Sequence, residues 1–214
     1  MNTPIIYISG IDTDIGKTYA TAYLLRLLRE EGHKAISQKL VQTGCVGISE
    51  DIAKHRSLLS EELYPEDLSG LTCPYLFDYP ASPHLSARME GQTIDPERIT
   101  DCTQELLQRG FDIVLVECAG GLMVPLTEEL LTADYIASTG APVALVTSGR
   151  LGSLNHTLLS IEACRHRNIS IRYLLYNTYP QQDASIEQET IAYLQKFVEK
   201  HLPECSFLQI PVFK

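Results

Sequence analysis

The sequence predicts a three-layer α/β/α fold with a mostly parallel central sheet and helices on both faces. Three observations point there. Short apolar runs rich in β-branched residues, such as 5–8, 113–116 and 142–147, read as strands buried on both faces. Segments with apolar residues at helical spacing separate them, so strand and helix alternate along the chain. The first strand also enters the first helix through a glycine-bounded loop. With 214 residues, one domain over 1–214 is expected.

Composition narrows the function. The formal net charge of −10 argues against non-specific binding to nucleic acid or an anionic membrane, but allows a small anionic ligand at a local loop. The apolar runs are strand-sized, so no transmembrane helix is expected, and the amino terminus enters the first strand too soon for a signal peptide. Six cysteines are scattered without a Cys-x-x-Cys pair. Reduced thiols of a cytoplasmic protein are expected, rather than a disulfide framework or a zinc site.

The loop is Gly10-Ile11-Asp12-Thr13-Asp14-Ile15-Gly16-Lys17-Thr18, between the strand Ile5–Ile8 and a helix from Tyr19 to Glu31. Strand, glycine loop, Gly-Lys-Thr and helix make the layout of a phosphate-binding loop, hence a P-loop NTPase type of fold. Glycines let backbone N–H groups curl around a polyphosphate, and the helix aims its positive end at it. Lys17 would reach the β/γ-phosphates and the Thr18 hydroxyl would hold Mg²⁺. The usual spacing places four residues between the two glycines; here there are five. A chance glycine loop before a helix is the alternative.

Gly32 reads as the stop of the first helix. A second strand, Ala35–Lys39, ends in Lys39-Leu40-Val41-Gln42-Thr43-Gly44. Lys39 either points into the ligand crevice at the strand's carboxyl end or is a solvated lysine. Ser49 caps a helix with Ile52, Leu58 and Leu59 inside, and Asp51 in its first turn suits the helix dipole whether or not it binds metal. Residues 63–92 read as a loop interrupted by Pro65, Pro74, Pro80 and Pro83; His84 within it either touches a ligand or caps and packs. Asp95-Pro96-Glu97 starts a helix with Ile99, Cys102, Leu106 and Leu107 on its buried face, ended by Gly110.

The run 111–117 reads as a buried strand whose last residue, Glu117, emerges to hold Mg²⁺ or its water, or simply faces solvent. Cys118-Ala119-Gly120-Gly121 lets the backbone approach a ligand. After the strand 142–147, Ser148–Gly152 leads into a helix with Leu154, Leu158 and Ile161 inside, whose first N–H groups could take a carboxylate. A strand 170–176 ends at Asn177, Ser185-Ile186-Glu187-Gln188 resembles a capping box, and 206–210 is a last strand before Pro211. The chain shows no internal repeat, low-complexity stretch or linker.

Taken together, these stretches resemble the ATP-dependent dethiobiotin synthetase family. Gly10–Thr18 is similar to its Gly-Thr-Asp-Thr-x-Val-Gly-Lys-Thr loop, which has the same extra residue. Gln38–Gly44 resembles its Lys-Pro-x-x-[Ser/Thr]-Gly segment, and Val116–Gly121 its Val-Glu-Gly-Ala-Gly-Gly. Pro74-Tyr75, Ser82-Pro83-His84, Leu151-Gly152, Asn155-His156 and Asn177 match in order and spacing.

The resemblance implies carboxylation and ring closure of 7,8-diaminononanoate with CO₂ and MgATP, through a carbamate and a carbamic–phosphoric anhydride, in biotin synthesis. It implies catalytic roles for Lys17 and Lys39, and Mg²⁺ ligands Thr18, Asp51 and Glu117. Nucleotide contacts are implied for Asp14, Ile15, Gly16, Lys17, Thr18, Tyr19, Asp51, Glu117, Cys118, Ala119, Gly120, Asn177, Thr178, Ile210, Pro211 and Val212. Substrate contacts are implied for Thr13, Lys39, Thr43 and, from the partner chain of a homodimer, Leu151, Gly152 and Ser153, in the loop that begins at Arg150.

Asp14 stands where the family more often has Glu, Leu40 for Pro, Cys118 for Gly, and Thr178 where many members have Asp; the sequence ends at Lys214, soon after the adenine-contacting turn. Looser adenine selectivity is therefore expected. Two other readings share the fold. An amidase-ligase would usually bring a glutaminase domain, for which there is no room. A partition-type ATPase switch would carry an extra lysine early in the loop, where this chain has Asp12 and Asp14.

Overall fold

The computed structural model describes residues 4–180 and 183–213, so Lys214 lies outside the described residues. In chain order its elements are β1 (Ile5–Gly10), α1 (Lys17–Glu30), β2 (Ala35–Lys39), β3 (Gln42–Thr43), α2 (Glu50–Leu58), α3 (Pro65–Leu68), β4 (Leu76–Phe77), α4 (Pro83–Met89), α5 (Pro96–Gln108), β5 (Ile113–Gly121), α6 (Thr132–Thr139), β6 (Val143–Ser148), α7 (Ser153–His166), β7 (Ile171–Asn177), α8 (Ala184–His201) and β8 (Ser206–Ile210). The main sheet has the order β2-β5-β1-β6-β7-β8, and every pairing in it is parallel.

Strand alternation builds the layers. Ile6 and Ile8 of β1 pack with Leu24, Leu25 and Leu28 of α1 on one face. Tyr7 faces the other way, into a cluster with Leu106, Ile136, Ile161 and Leu194 from α5, α6, α7 and α8. β5 lies between β2 and β1 with residues 113–118 all buried, which explains its unbroken apolar run. The register sets Lys39 beside Glu117 at the carboxyl ends of β2 and β5. The order turns back across β1, whose neighbours are β5 and β6, and the crevice there opens at the loop before α1.

Local chemistry explains the element ends. Ser49 Oγ accepts from Ile52 N at 3.2 Å and Asp95 Oδ1 from Glu97 N at 2.9 Å, so both caps act as expected. Gly32, at φ 91°, ends α1.

The structure corrects several expectations. Within 63–92, Pro65 and Pro83 start the short helices α3 and α4, because a first-turn proline loses no helical hydrogen bond. β3 and β4, and α6 between β5 and β6, were absent from the sequence reading. In α2, Leu58 and Leu59 are only half-buried, whereas His55 and Arg56 are inside with Ile52. Cys102 and Leu107 are half-buried on α5, and Thr103 takes the core position.

The cap of α8 is Asp183 rather than Ser185; its carboxylate accepts from Ser185 N at 3.0 Å and Ile186 N at 3.2 Å. Asp183→Ala should cost about 1 kcal/mol in urea denaturation, as typical for a lost cap, whereas Ser185→Ala should cost far less. Equal losses would return the cap to Ser185.

Candidate active site

Residues 11–16 carry the chain from β1 to α1. Asp14 takes the left-handed conformation at φ 54°, which Asp tolerates better than most residues. Gly16 follows at φ 96°, and a Cβ there would lie 2.3 Å from Asn177 Nδ2. That amide donates to Ile15 O at 3.0 Å, so the last residue of β7 braces the loop from behind. Lys17 begins α1 with its side chain buried and Nζ donating to Asp12 O at 3.0 Å. Burial, and then nearby Lys39, lowers its pKa.

Lys39 is the centre of a buried charge cluster. Its Nζ lies 2.9 Å from Glu117 Oε1 and 2.5 Å from Asp51 Oδ2, and donates to Cys118 O at 3.4 Å. Thr18 Oγ1 donates to Asp51 Oδ1 at 2.8 Å and lies 3.5 Å from Glu117 Oε1. Gln42 sets Asp51 in place: its Oε1 accepts from Ser49 Oγ at 2.7 Å and from Asp51 N at 3.3 Å. Burial by itself would neutralise Glu117, but Lys39 and then His55 outweigh it and hold the carboxyl well below the usual range. Burial likewise opposes the Lys39 charge, and Glu117 and Asp51 overcome it and raise its pKa.

A cavity of about 430 Å³ opens on this cluster, lined by Thr13, Asp14, Thr43, Ala119 and Gly120 as well as Lys17, Thr18 and Lys39. An adjoining cavity of about 420 Å³ shares Thr13, Thr43, Ala119 and Gly120 and runs toward Pro80–Pro83. A third, of about 290 Å³, lies among Tyr19, Asn177, Tyr179, Pro211, Val212 and Phe213.

The remaining candidates sit elsewhere. Ile15 is buried under the loop, Cys118 points into the core, and Ile210 is buried at the end of β8. Thr178 Oγ1 donates to Ile210 O at 2.8 Å. Leu151 and Gly152 are exposed, and the buried Ser153 hydroxyl pairs with Ser148 Oγ at 3.2 Å. His84 pairs with Ser82 Oγ at 3.1 Å and lines a separate cavity beside Arg88.

The donor set fits a small hard cation. One hydroxyl and two carboxylates converge, all oxygen. Among the described residues no three His, Cys, Asp or Glu side chains form a metal cage. Mg²⁺ needs none, since it is usually held by one or two carboxylates with water and phosphate oxygens.

Sequence reasoning overlooked His55, whose Nε2 lies 2.8 Å from Glu117 Oε2, and Thr21, whose hydroxyl reaches the same oxygen at 2.8 Å. The available signal was spacing: His55 is one helical turn beyond Asp51. The departures at 40 and 118 have physical grounds. Leu40 N donates to Glu117 O at 2.9 Å, a bond proline cannot make. Cys118 buries its side chain among core residues, so nothing intrudes on the cavity.

The chain is similar to known proteins over most of its length. A family model described as an AAA domain matches residues 5–210. The chain is 50% identical over 204 residues to an ATP-dependent dethiobiotin synthetase of Haemophilus ducreyi, covering 95% of this chain and 96% of that one. A protein of the same name from Pasteurella multocida is 48% identical, covering 95% of each chain. One from Chlorobaculum tepidum is 52% identical, covering 89% of this chain and 79% of that one. Among solved structures, the signal recognition particle receptor FtsY of Elizabethkingia anophelis aligns with TM-score 0.59 at 14% identity, over 99% of this chain and 60% of that one. The pNOB8 ParA protein bound to nonspecific DNA aligns with TM-score 0.53 at 10% identity, over 98% and 86%. These two likenesses show the fold alone.

The lowered Glu117 pKa makes stability depend on acid. Its unfolded value is about 4.3, so its contribution is complete above about pH 5 and lost as pH falls further. Urea denaturation of the metal-free protein should show stability falling from pH 6 to pH 3. Glu117→Gln should be less stable at pH 6 and change less over that range. An unchanged pH slope in the variant would mean that the carboxyl is not depressed.

Proposed function

The chain belongs to the ATP-dependent dethiobiotin synthetase family, and on that premise we propose how its residues divide the work. The protein is an ATP-dependent cyclo-ligase of biotin biosynthesis that forms dethiobiotin from small-molecule substrates. The convergence of Lys39, Thr18, Asp51 and Glu117 at the mouth of the phosphate loop carries the assignment of roles.

The substrates are 7,8-diaminononanoate, CO₂ and ATP. One amine takes up CO₂ as a carbamate. The carbamate oxygen attacks the γ-phosphorus and ADP leaves, giving a carbamic–phosphoric anhydride. The second amine attacks its carbonyl carbon and phosphate departs, closing the cyclic urea. Charge builds on carbamate and phosphoryl oxygens, so positioned cations matter more than a protein nucleophile. Lys17 holds the β/γ-phosphates and Lys39 bridges carbamate and γ-phosphate. Thr18, Asp51 and Glu117 would hold Mg²⁺, which would supply positive charge to offset the negative charge of the phosphates. Thr13 and Thr43, at the join of the two large cavities, contact the diamine.

Tyr19, Asn177, Pro211 and Val212 form the base pocket. Asn177 donates to Ile15 O and accepts from Tyr179 N at 3.1 Å, while Thr178 is engaged with Ile210 O. Few side-chain groups are left to read the base edge, which supports looser adenine selectivity. We infer a homodimer in which the loop 150–153 meets the substrate carboxylate from the partner chain. The 87% exposure of Leu151 and the lack of a side-chain cap at the start of α7 support it. All six cysteines are free thiols, the state a cytoplasmic setting would keep, and no described helix is long and apolar enough to cross a membrane. The partition-switch alternative has less support, because the ParA likeness is confined to the fold and no lysine precedes Lys17 in the loop.

Mass spectrometry of protein with diaminononanoate, bicarbonate and MgATP should show a cyclic-urea product dependent on every component. Lys39→Ala should abolish it. Nucleotide binding without product would overturn the substrate assignment and favour a switch. In the same assay GTP or CTP should support turnover comparable to ATP; a strong ATP preference would overturn the relaxed base reading.

A further inference from the structure

We propose that His55 is a positioning residue for Glu117, fixing which carboxylate oxygen faces the phosphate cavity. The proposal rests on the reading of Glu117 as an Mg²⁺-holding group. α2 carries Asp51 and His55 one turn apart on one face. Asp51 is at the cavity rim, whereas His55 is fully buried below it. The two oxygens of Glu117 are therefore treated differently. Oε1 faces Lys39 and Thr18. Oε2 faces away and meets Thr21 Oγ1 and His55 Nε2, each at 2.8 Å.

Donor counting singles out His55. Thr21 has one hydroxyl proton and two acceptors within reach, Glu117 Oε2 and Lys17 O at 2.9 Å. The ionised carboxylate only accepts, so His55 Nε2 carries the proton between them. Nδ1 is then left to accept from the Ser37 hydroxyl, 3.0 Å away. Ser37 Oγ in turn accepts from Arg56 Nη1 at 2.9 Å. Arg56 is locked by Asp67 through two bonds of 2.9 Å, and Asp67 also takes Thr72 Oγ1 and Tyr64 N, both at 2.8 Å. One line of donors thus runs from Arg56 Nη1 through the Ser37 hydroxyl and His55 to Glu117, while the other Arg56 donors anchor it on Asp67. This chain fixes the tautomer as the partner of a metal-binding group must be fixed.

A purely structural strut between α2 and β2 would affect melting alone, so the test reads metal affinity. In His55→Gln the amide nitrogen can occupy the Nε2 place and donate to Oε2. In His55→Asn the shorter amide stays near Ser37 and cannot reach Glu117. Calorimetric titration of Mg²⁺ into protein saturated with a non-hydrolysable ATP analogue should show weakening of about 10–100-fold for His55→Asn. His55→Gln should restore most of it, and analogue affinity measured in EDTA should be unchanged in both. Wild-type Mg²⁺ affinity in folded His55→Asn, or equal loss in the two variants, would overturn the proposal. If His55→Asn does not fold, Ser37→Ala releases the tautomer instead and should weaken Mg²⁺ several-fold; no change there would likewise overturn it. Glu117→Gln separates the two readings. If it keeps wild-type Mg²⁺ affinity, the metal role of Glu117 falls and the proposal with it. If it loses affinity while His55→Asn does not, only the positioning role falls.

Discussion

The ion pair between Lys39 and Glu117 is the constraint on which the site depends. The two side chains leave adjacent parallel strands at paired positions and are almost wholly buried. Desolvating both is costly, and neither alone could remain charged there. Together, with Asp51 across from them, they hold a cation and two anions at one end of the sheet. Breaking such a pair by removing one partner typically costs about 3–5 kcal/mol, so both charges are structural as well as chemical.

Much of the surrounding chain serves that pair. Ser49 and Gln42 set the first turn of α2 so that Asp51 meets Lys39 and Thr18. Leu40 N ties the backbone after Lys39 to the carbonyl of Glu117. Thr21, on the second turn of α1, links the phosphate-loop helix to the same carboxylate. Loop, lysine strand and acid strand are thus coupled through one side chain, and a shift of Glu117 would be felt by all three.

The parts legible in sequence were those set by local chemistry. Glycine loop, Gly-Lys-Thr, the apolar strand ending in Glu117 and the caps Ser49 and Asp95 all follow from short-range rules. What was not legible depended on contacts far apart in sequence. His55 and Arg56 look like surface residues on a charged helix, and only Ser37, Asp67 and Glu117 explain their burial. α6 was missed because its pattern, with Thr132 and Ala133 buried beside Tyr135 and Ile136, mixes small and large residues. The cap of α8 went to Ser185 because Ser-x-x-Gln mimics a capping box, while Asp183 two residues earlier offers a carboxylate to the same N–H groups.

The two ends of the nucleotide cleft are built on different principles. At the phosphate end Lys17, Thr18, Lys39, Asp51 and Glu117 have protein partners in fixed directions, which sets their positions before a ligand arrives. At the base end the polar groups of Asn177 and Thr178 are turned toward the protein itself, bracing the loop and the end of β8. What remains for the base is largely ring and apolar surface from Tyr19, Tyr179, Pro211 and Val212. Such surface grips by stacking and burial, which any base can satisfy, whereas discrimination needs unpaired polar groups that a wrong base would leave unmet. Asn177 uses one amide N–H on Ile15 O, which leaves its second N–H as the donor available at the pocket. On the proposed assignment, the residue that braces the phosphate loop therefore has one amide N–H left for the base, while the Thr178 hydroxyl proton is committed to Ile210 O.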